Sequence, residues 1–503
     1  MRCRFYHSLF WAFASATMLG CKAVGPDYES PVTPVPDAWT RVMKGEKSSS
    51  RTGAERWWAD FNDADLSRLI AMARKNNPDI KRAQARIQEA WQQRQVITAA
   101  FFPHSDLYGR QSYGLGTFDQ SGVKWDLGSS SNSIAQMDIG WEVDLFGGIK
   151  RQVESVTADY EASIEGWRDF HVLVTAEVAL QYIALRTLDA RLAVSRDGVA
   201  IYQKIAELTG ARQDEGVGTE VDVVESSARL KAQEAEGPGI ESERAAVLSR
   251  LAVLVGTYPA HATAMLNGKS AIPVPPGRLA TGVPADLLRS RPDIRRAERK
   301  LQAQSARIGI ATANLYPSLS LSGAITYEEN IVGGVTNLLR RDLGLGPTLR
   351  WRIFHACADQ ARIKEQEAGL ESELAAYEET VLRAVGEVEE SMAVVHFEKL
   401  RLERLTAAAE DYRHTSELMA ESYKAGLVDL RRLLNAQQDA LATEQEAAAT
   451  RGRIAAHSVR LFKALGGGPL PTPKGMASAD DQVSTPTLRK VDSSSSGRKG
   501  LAR

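Results

Sequence analysis

The chain has 503 residues, 43% of them apolar and 25% charged, with 62 Lys and Arg against 63 Asp and Glu. A formal net charge of -1 offers no polyanion footprint, so nucleic acid is not an expected partner. Three cysteines, Cys3, Cys21 and Cys357, exclude a disulfide framework and a cysteine-rich zinc site; beyond the N-terminus there is no apolar run long enough for a membrane-spanning helix.

Arg2 and Arg4 precede an apolar stretch from Leu9 to Leu19, the pattern of a secretory signal covering residues 1–20. Met18-Leu19-Gly20-Cys21 resembles a bacterial lipobox, which implies a covalent lipid on Cys21 and no other cofactor. Lys22 follows where Asp would argue for inner-membrane retention, so the outer membrane is the expected address. Residues 21–56, with Pro26, Pro31, Pro34, Pro36 and Ser48-Ser49-Ser50, have the composition of an extended, solvated leash.

Downstream the chain is written twice. Pro78-Asp79-Ile80-Lys81-Arg82-Ala83 matches Pro292-Asp293-Ile294-Arg295-Arg296-Ala297 at an offset of 214, as Phe102-Pro103 matches Tyr316-Pro317; Leu145-Phe146 matches Ile353-Phe354 at 208, and Gly216 matches Gly426 at 210. Each copy, 57–256 and 285–466, reads as helix, two strands and two long helices, joined by a linker over 257–284 and followed by a polar tail over 467–503 that is expected to be disordered.

The opening helices are expected near Asp79–Ala100 and Asp293–Asn314, each started by a Pro-Asp pair and stopped before Pro103 or Pro317. Strands are expected near 103–118, 131–146, 317–330 and 341–354, where the period becomes two. Ala135, Met137, Ile139, Trp141, Val143 and Leu145 alternate with Gln136, Asp138, Gly140, Glu142 and Asp144; Leu319, Leu321 and Ile325, then Leu343, Leu345 and Leu349, alternate with small or polar residues. Runs of this length suit tilted membrane strands or a soluble half-buried sheet. Closure discriminates between them: four strands cannot make a membrane barrel and an open edge is excluded from lipid, so membrane strands require several chains to share one barrel.

The long helices are expected near 149–214 and 219–256, then 359–424 and 428–465. The first of each pair lacks proline and is rich in Ala, Glu, Leu and Arg, and would reach about 95 Å. Val178, Leu185, Leu192 and Val199, and Leu405, Tyr412 and Met419, recur every seven residues, as in a coiled-coil seam. Gly216 and Gly218 mark the first hairpin turn and Gly426 the second.

Trp57-Trp58-Ala59-Asp60-Phe61-Asn62-Asp63, Asn76-Asn77-Pro78, Val24-Gly25-Pro26-Asp27-Tyr28, Trp141-Glu142-Val143-Asp144-Leu145-Phe146-Gly147-Gly148 and Arg289-Ser290-Arg291-Pro292-Asp293-Ile294 together resemble the TolC-like outer-membrane efflux family, in its lipoprotein branch. The resemblance implies a mainly α protein with a transmembrane β part: a homotrimer whose protomers give four strands each to a twelve-stranded barrel, continued by a periplasmic helical tube. It implies a passive exit duct rather than an enzyme, partnered by a periplasmic adaptor, an inner-membrane pump and outer-membrane lipid.

In that family the tube narrows at the hairpin tips, where one charged side chain per protomer becomes a ring. Asp429, Arg431 and Arg432 on the second hairpin and Asp222 on the first are the candidates, with Asp429–Arg pairs forming a mixed-sign ring; the plainer alternative is that Asp at a helix start serves the helix dipole. Cys357, in Phe354-His355-Ala356-Cys357, reads as an incidental small residue. The eight histidines lack metal-ligand spacing, and no phosphate loop or nucleophile elbow occurs. A coiled-coil periplasmic scaffold or adaptor without a channel is the alternative function, and a lipid-anchored cell-wall enzyme lacks a catalytic constellation.

Overall fold

Asp63 opens the first helix by accepting the Leu66 amide at 2.9 Å, and Asn77 opens the second by accepting the amides of Asp79 and Ile80 around Pro78 at the first turn. Such caps replace the missing intrahelical partners of the first N–H groups. The computed structural model describes residues 23–32, 34–36, 38–40, 54–120, 123–266, 271–276, 290–332, 335–468 and 472. All but the last belong to one unit, Met1–Leu470.

Among these residues a 3-10 turn at Ala54–Phe61 leads into α1 (Ala64–Asn76) and α2 (Pro78–Thr98), then β1 (His104–Gln120), β2 (Val123–Val143), α3 (Gly148–Asp214), α4 (Glu220–Val255) and a short α5 (Pro259–Met265). The second copy supplies α6 (Pro292–Ala313), β3 (Ser318–Val332), β4 (Val335–Arg350), α7 (Ala358–Lys424) and α8 (Leu430–Ala464). Two elements were not anticipated: α1, and the helical turn α5 inside the linker. The long helices α3 and α7 have the same length, 67 residues each, or about 100 Å.

α3 packs against α4, α8, α6 and α2, and α7 against α8 and α6. Along the four long helices this gives the order α4, α3, α8, α7, with α4 and α7 at the two flanks. The α3 seam buries Val178, Leu185 and Leu192. On α7 the expected seam through Leu405, Tyr412 and Met419 is corrected: Tyr412 is exposed and Leu405 and Met419 are only partly buried, whereas Val381, Val388, Val395, Ala409, Ser416 and Tyr423 are buried on the seven-residue series whose remaining member, Leu402, is partly buried. Small and polar members hide that series from a hydrophobicity count.

The stretch read as a solvated leash is also corrected for its described residues. Val24 N–H bonds Phe146 O at 3.1 Å, and Arg151 on α3 donates to Val24 O, Gly25 O and the Asp27 carboxylate. Further along, Ser30 bonds Glu298, and Trp39 enters a core of Ile294, Tyr377, Val381, Ala384, Val388, Met392, Leu461 and Ala464. The segment is an extended strap across α3, α6 and α7. Its prolines, which suggested solvation, instead spare it backbone donors that would otherwise need partners.

The strands form one antiparallel sheet in the order β1-β2-β3-β4. Register places Leu107 opposite Met137, Met137 opposite Ile325 and Ile325 opposite Leu343, so one face carries an apolar band. The other carries Tyr108, Gln136, Thr326 and Asp342 in the same manner. Leu107, Leu343 and Leu345 are 82%, 78% and 79% exposed, because among the described residues no helix lies over that face. β2 and β4 begin earlier than alternation suggested, since the Ser129–Ser133 run pairs through its backbone with β1. They also end earlier: Leu145 and Phe146 turn away into α3, and Trp351–Phe354 have no strand beside them.

Duplication extends to side-chain chemistry. Trp141 Nε1 donates to Phe101 O at 3.0 Å and Trp351 Nε1 to Leu315 O at 3.1 Å, tying each hairpin to the helix before it. Asn77 donates to Leu254 O at 2.8 Å and Arg291 to Ala464 O at 2.9 Å, so the same tether is built from two different residues.

Candidate functional site: the helical hairpin tips

Each long helix ends in the same turn. Gly216 and Gly426 both have φ +74, a left-handed conformation that favours glycine. Around them Val217 N–H bonds Arg212 O and Leu427 N–H bonds Ser422 O, both at 2.9 Å, the six-to-one closure of a Schellman end. Gly218 also reaches Arg212 O. The turns thereby present Val217 and Leu427 at 64% and 78% exposure.

The candidate charges divide into two groups. Asp222 closes a capping box with Thr219: the Asp222 amide donates to Thr219 Oγ1 at 3.2 Å, and the Thr219 backbone N–H donates to Asp222 Oδ2 at 3.2 Å. Asp429 caps α8 by accepting the Arg432 amide at 2.9 Å. Arg431 and Arg432 are exposed, and among the described residues no ion pair joins either to Asp429. The mixed-sign pairing expected at Asp429 is therefore corrected within the chain: its carboxylate is turned onto the backbone of the first turn.

The contact that joins the two hairpins uses residues the sequence reading passed over. Arg212, in the last turn of α3, donates to Tyr423 O at 2.8 Å and lies 4.8 Å from the centre of the Tyr423 ring, a hydrogen bond reinforced by cation–π attraction. Burial raises the Tyr423 hydroxyl above its ordinary pKa, opposed by Arg212 and assisted by Asp222. Asp222, Arg212 and Tyr423 thus share one electrostatic neighbourhood. The legible signal was Tyr423 as the last member of the series Ala409, Ser416, Tyr423. Below it Tyr202, Ile205, Leu430, Leu433 and Leu434 form an apolar cluster, and Thr209 and Ser226 share a buried hydroxyl bond at 2.8 Å.

Cys21 lies outside the described residues; the strap begins at Ala23, which is buried. Cys357 is an exposed free thiol at the N-cap of α7, with φ +64.

The model of the family "Outer membrane efflux protein" matches residues 69–257 and 283–467. Outer membrane protein OprJ of Pseudomonas aeruginosa is 28% identical over 471 residues, covering 91% of this chain and 95% of that protein. A probable outer membrane lipoprotein of Salmonella typhimurium, SilC, is 24% identical over 452 residues, covering 90% and 96%. The solved structure of the outer-membrane channel OprN superposes with a TM-score of 0.77 at 32% identity, covering 88% of this chain and 99% of that one. The chain belongs to the outer membrane efflux protein family, as an outer-membrane channel of an efflux pump.

Proposed function

We propose that three copies close one twelve-stranded barrel in the outer membrane, anchored by lipid on Cys21, and that the long helices continue it as a periplasmic tube. The observation that carries this reading is the apolar sheet face that no described residue of the chain covers. A sheet with bare edges is untenable in lipid, and only closure with other copies removes them. The lipobox at Cys21 and the resemblance to a lipoprotein relative support the anchor.

The duct supplies no energy of its own. Solutes handed over by an inner-membrane pump through a periplasmic adaptor pass along a polar wall and avoid desolvation in two low-dielectric layers. Val217, Val221, Val224 and Leu427, exposed at the tips, provide apolar contacts for the adaptor. The Arg212–Tyr423 link holds the two hairpins of a protomer together and keeps the periplasmic end narrow.

Single-channel recording in planar bilayers tests the gate. Arg212→Ala raises conductance several-fold, whereas Arg432→Ala leaves it within a factor of two. Equal conductance of wild type and Arg212→Ala would remove Arg212 from the gate, and absence of any channel from wild-type protein would remove the duct.

A further inference from the structure

The two hairpins are not merely similar; their registers superpose. His104 stands opposite Gly140 in the first and Ser318 opposite Arg350 in the second, so first strands correspond at an offset of 214 and second strands at 210. Each register is broken at the equivalent place, between Leu115 and Thr117 and between Asn330 and Ile331. The chain makes one junction between its copies, β2 against β3, and leaves its counterpart, β4 against a β1, unmade.

From this internal symmetry we infer the seam between copies residue by residue: β4 of one chain pairs antiparallel with β1 of the next, with Ile353 opposite Ser105, Arg352 opposite Asp106, Trp351 opposite Leu107 and Arg350 opposite Tyr108. These are the images of Val143–Leu319, Glu142–Ser320, Trp141–Leu321 and Gly140–Ser322. The inference rests on the reading that several copies share one barrel and adds the register to it.

Three observations outside the register agree with it. First, the chemistry matches on both faces: Arg352 meets an opposite charge on the polar face and Trp351 meets Leu107 on the apolar one, where a slip of one residue would reverse every side chain. Asp106 and Arg352 are both exposed and neither has an ion pair among the described residues. Second, Phe102 before β1 and Phe354 beyond β4, beside the two free edges of the sheet, are 60% and 85% exposed, large apolar side chains that the seam covers. Third, the Arg296–Asp169 ion pair at 3.1 Å between α6 and α3 maps onto Arg82 of the next chain and Glu379 of the first, so both charge signs are preserved; within the chain these two pair with Asp79 and Arg383 on their own helices. Trp351–Phe354 lack strand geometry in the isolated chain because their partner is on another molecule.

Disulfide trapping tests the register. In full-length, membrane-extracted protein carrying Cys357→Ser, the pair Asp106→Cys and Arg352→Cys places thiols on directly opposed residues, whose Cα spacing in an antiparallel pair of about 4.5–5.5 Å suits a disulfide. Mild oxidation then yields covalent dimers and trimers on non-reducing denaturing gels, collapsed by reductant. Asp106→Cys with Thr348→Cys, displaced along β4 by about 13 Å, yields none. The register is overturned if particles contain three chains, by light scattering in detergent, but the opposed pair fails to link or the displaced pair links instead. Single-chain particles would overturn the shared barrel itself. Charge exchange supplies a readout independent of cysteines: Asp106→Arg and Arg352→Asp each lower the temperature at which the oligomer dissociates, and the two combined restore it; lack of restoration counts against the pairing.

Discussion

The two strand-to-helix junctions do the same task with different residues. In the first copy the chain turns at Gly147, φ +76, over which the strap passes so closely that a Cβ would sit 2.4 Å from the Ala23 methyl. In the second, Ala356 and Cys357 adopt φ +46 and +64 although neither is glycine, and Phe354 and His355 are exposed. Close backbone approach demands glycine at the first junction. At the second no described residue crowds the turn, which is exposed, so side chains are tolerated at a strain of about 1–2 kcal/mol per residue. A duplicated sequence therefore diverges where its surroundings stop being duplicated.

The largest way to break the asymmetry is to unseat the strap. Trp39→Ala removes the strap's anchor from the core formed with Tyr377, Val381 and Leu461 and costs about 3–5 kcal/mol. It appears as a lower thermal midpoint and as protease cleavage of the strap; an unchanged midpoint would show that Trp39 contributes no packing.

A pH measurement comes next. His171 on α3 corresponds to Val381 on α7, both buried. Both ring nitrogens of His171 lack hydrogen-bond partners, and its ring meets Trp167 edge-on at 4.4 Å. Burial, with Arg74 second, pushes its pKa from 6.5 to about 4. The folded state favours the neutral ring, so its stability is whole above pH 6.5 and falls as pH drops from 6.5 toward 4, by on the order of 3 kcal/mol at the bottom of that window. His171→Val, the residue of the other copy, flattens the fall. Identical pH profiles for the two proteins would contradict the assignment.

The smallest effect sharpens the comparison at the junctions. Cys357→Gly relieves left-handed strain and raises stability by about 1 kcal/mol, whereas Gly147→Ala lowers it by about 2 kcal/mol through strain and displacement of Ala23. Differential scanning calorimetry of the two variants resolves the opposite signs; the same sign for both would refute the crowding argument.

Legibility followed range. The long helices could be read because composition acts locally: an Ala-, Glu-, Leu- and Arg-rich stretch without proline from 149 to 214 is sufficient, and α3 spans Gly148–Asp214. Strand faces were readable because Leu343 and Leu345 alternate with polar residues. The strap was not, since docking depends on Arg151 and Trp39 meeting partners more than a hundred residues away. The Arg212–Tyr423 link was hidden for the same reason, and the end of β4 was hidden because alternation runs on through Trp351 and Ile353, past Arg350, the last residue that pairs with β3.

The central claim is that the sheet closes only in company. End-on class averages of the detergent-extracted particle by electron microscopy test it most directly. The account predicts a ring of threefold symmetry around an open centre; a solid particle of one chain, with the Leu343 and Leu345 face folded onto its own helices, would contradict it.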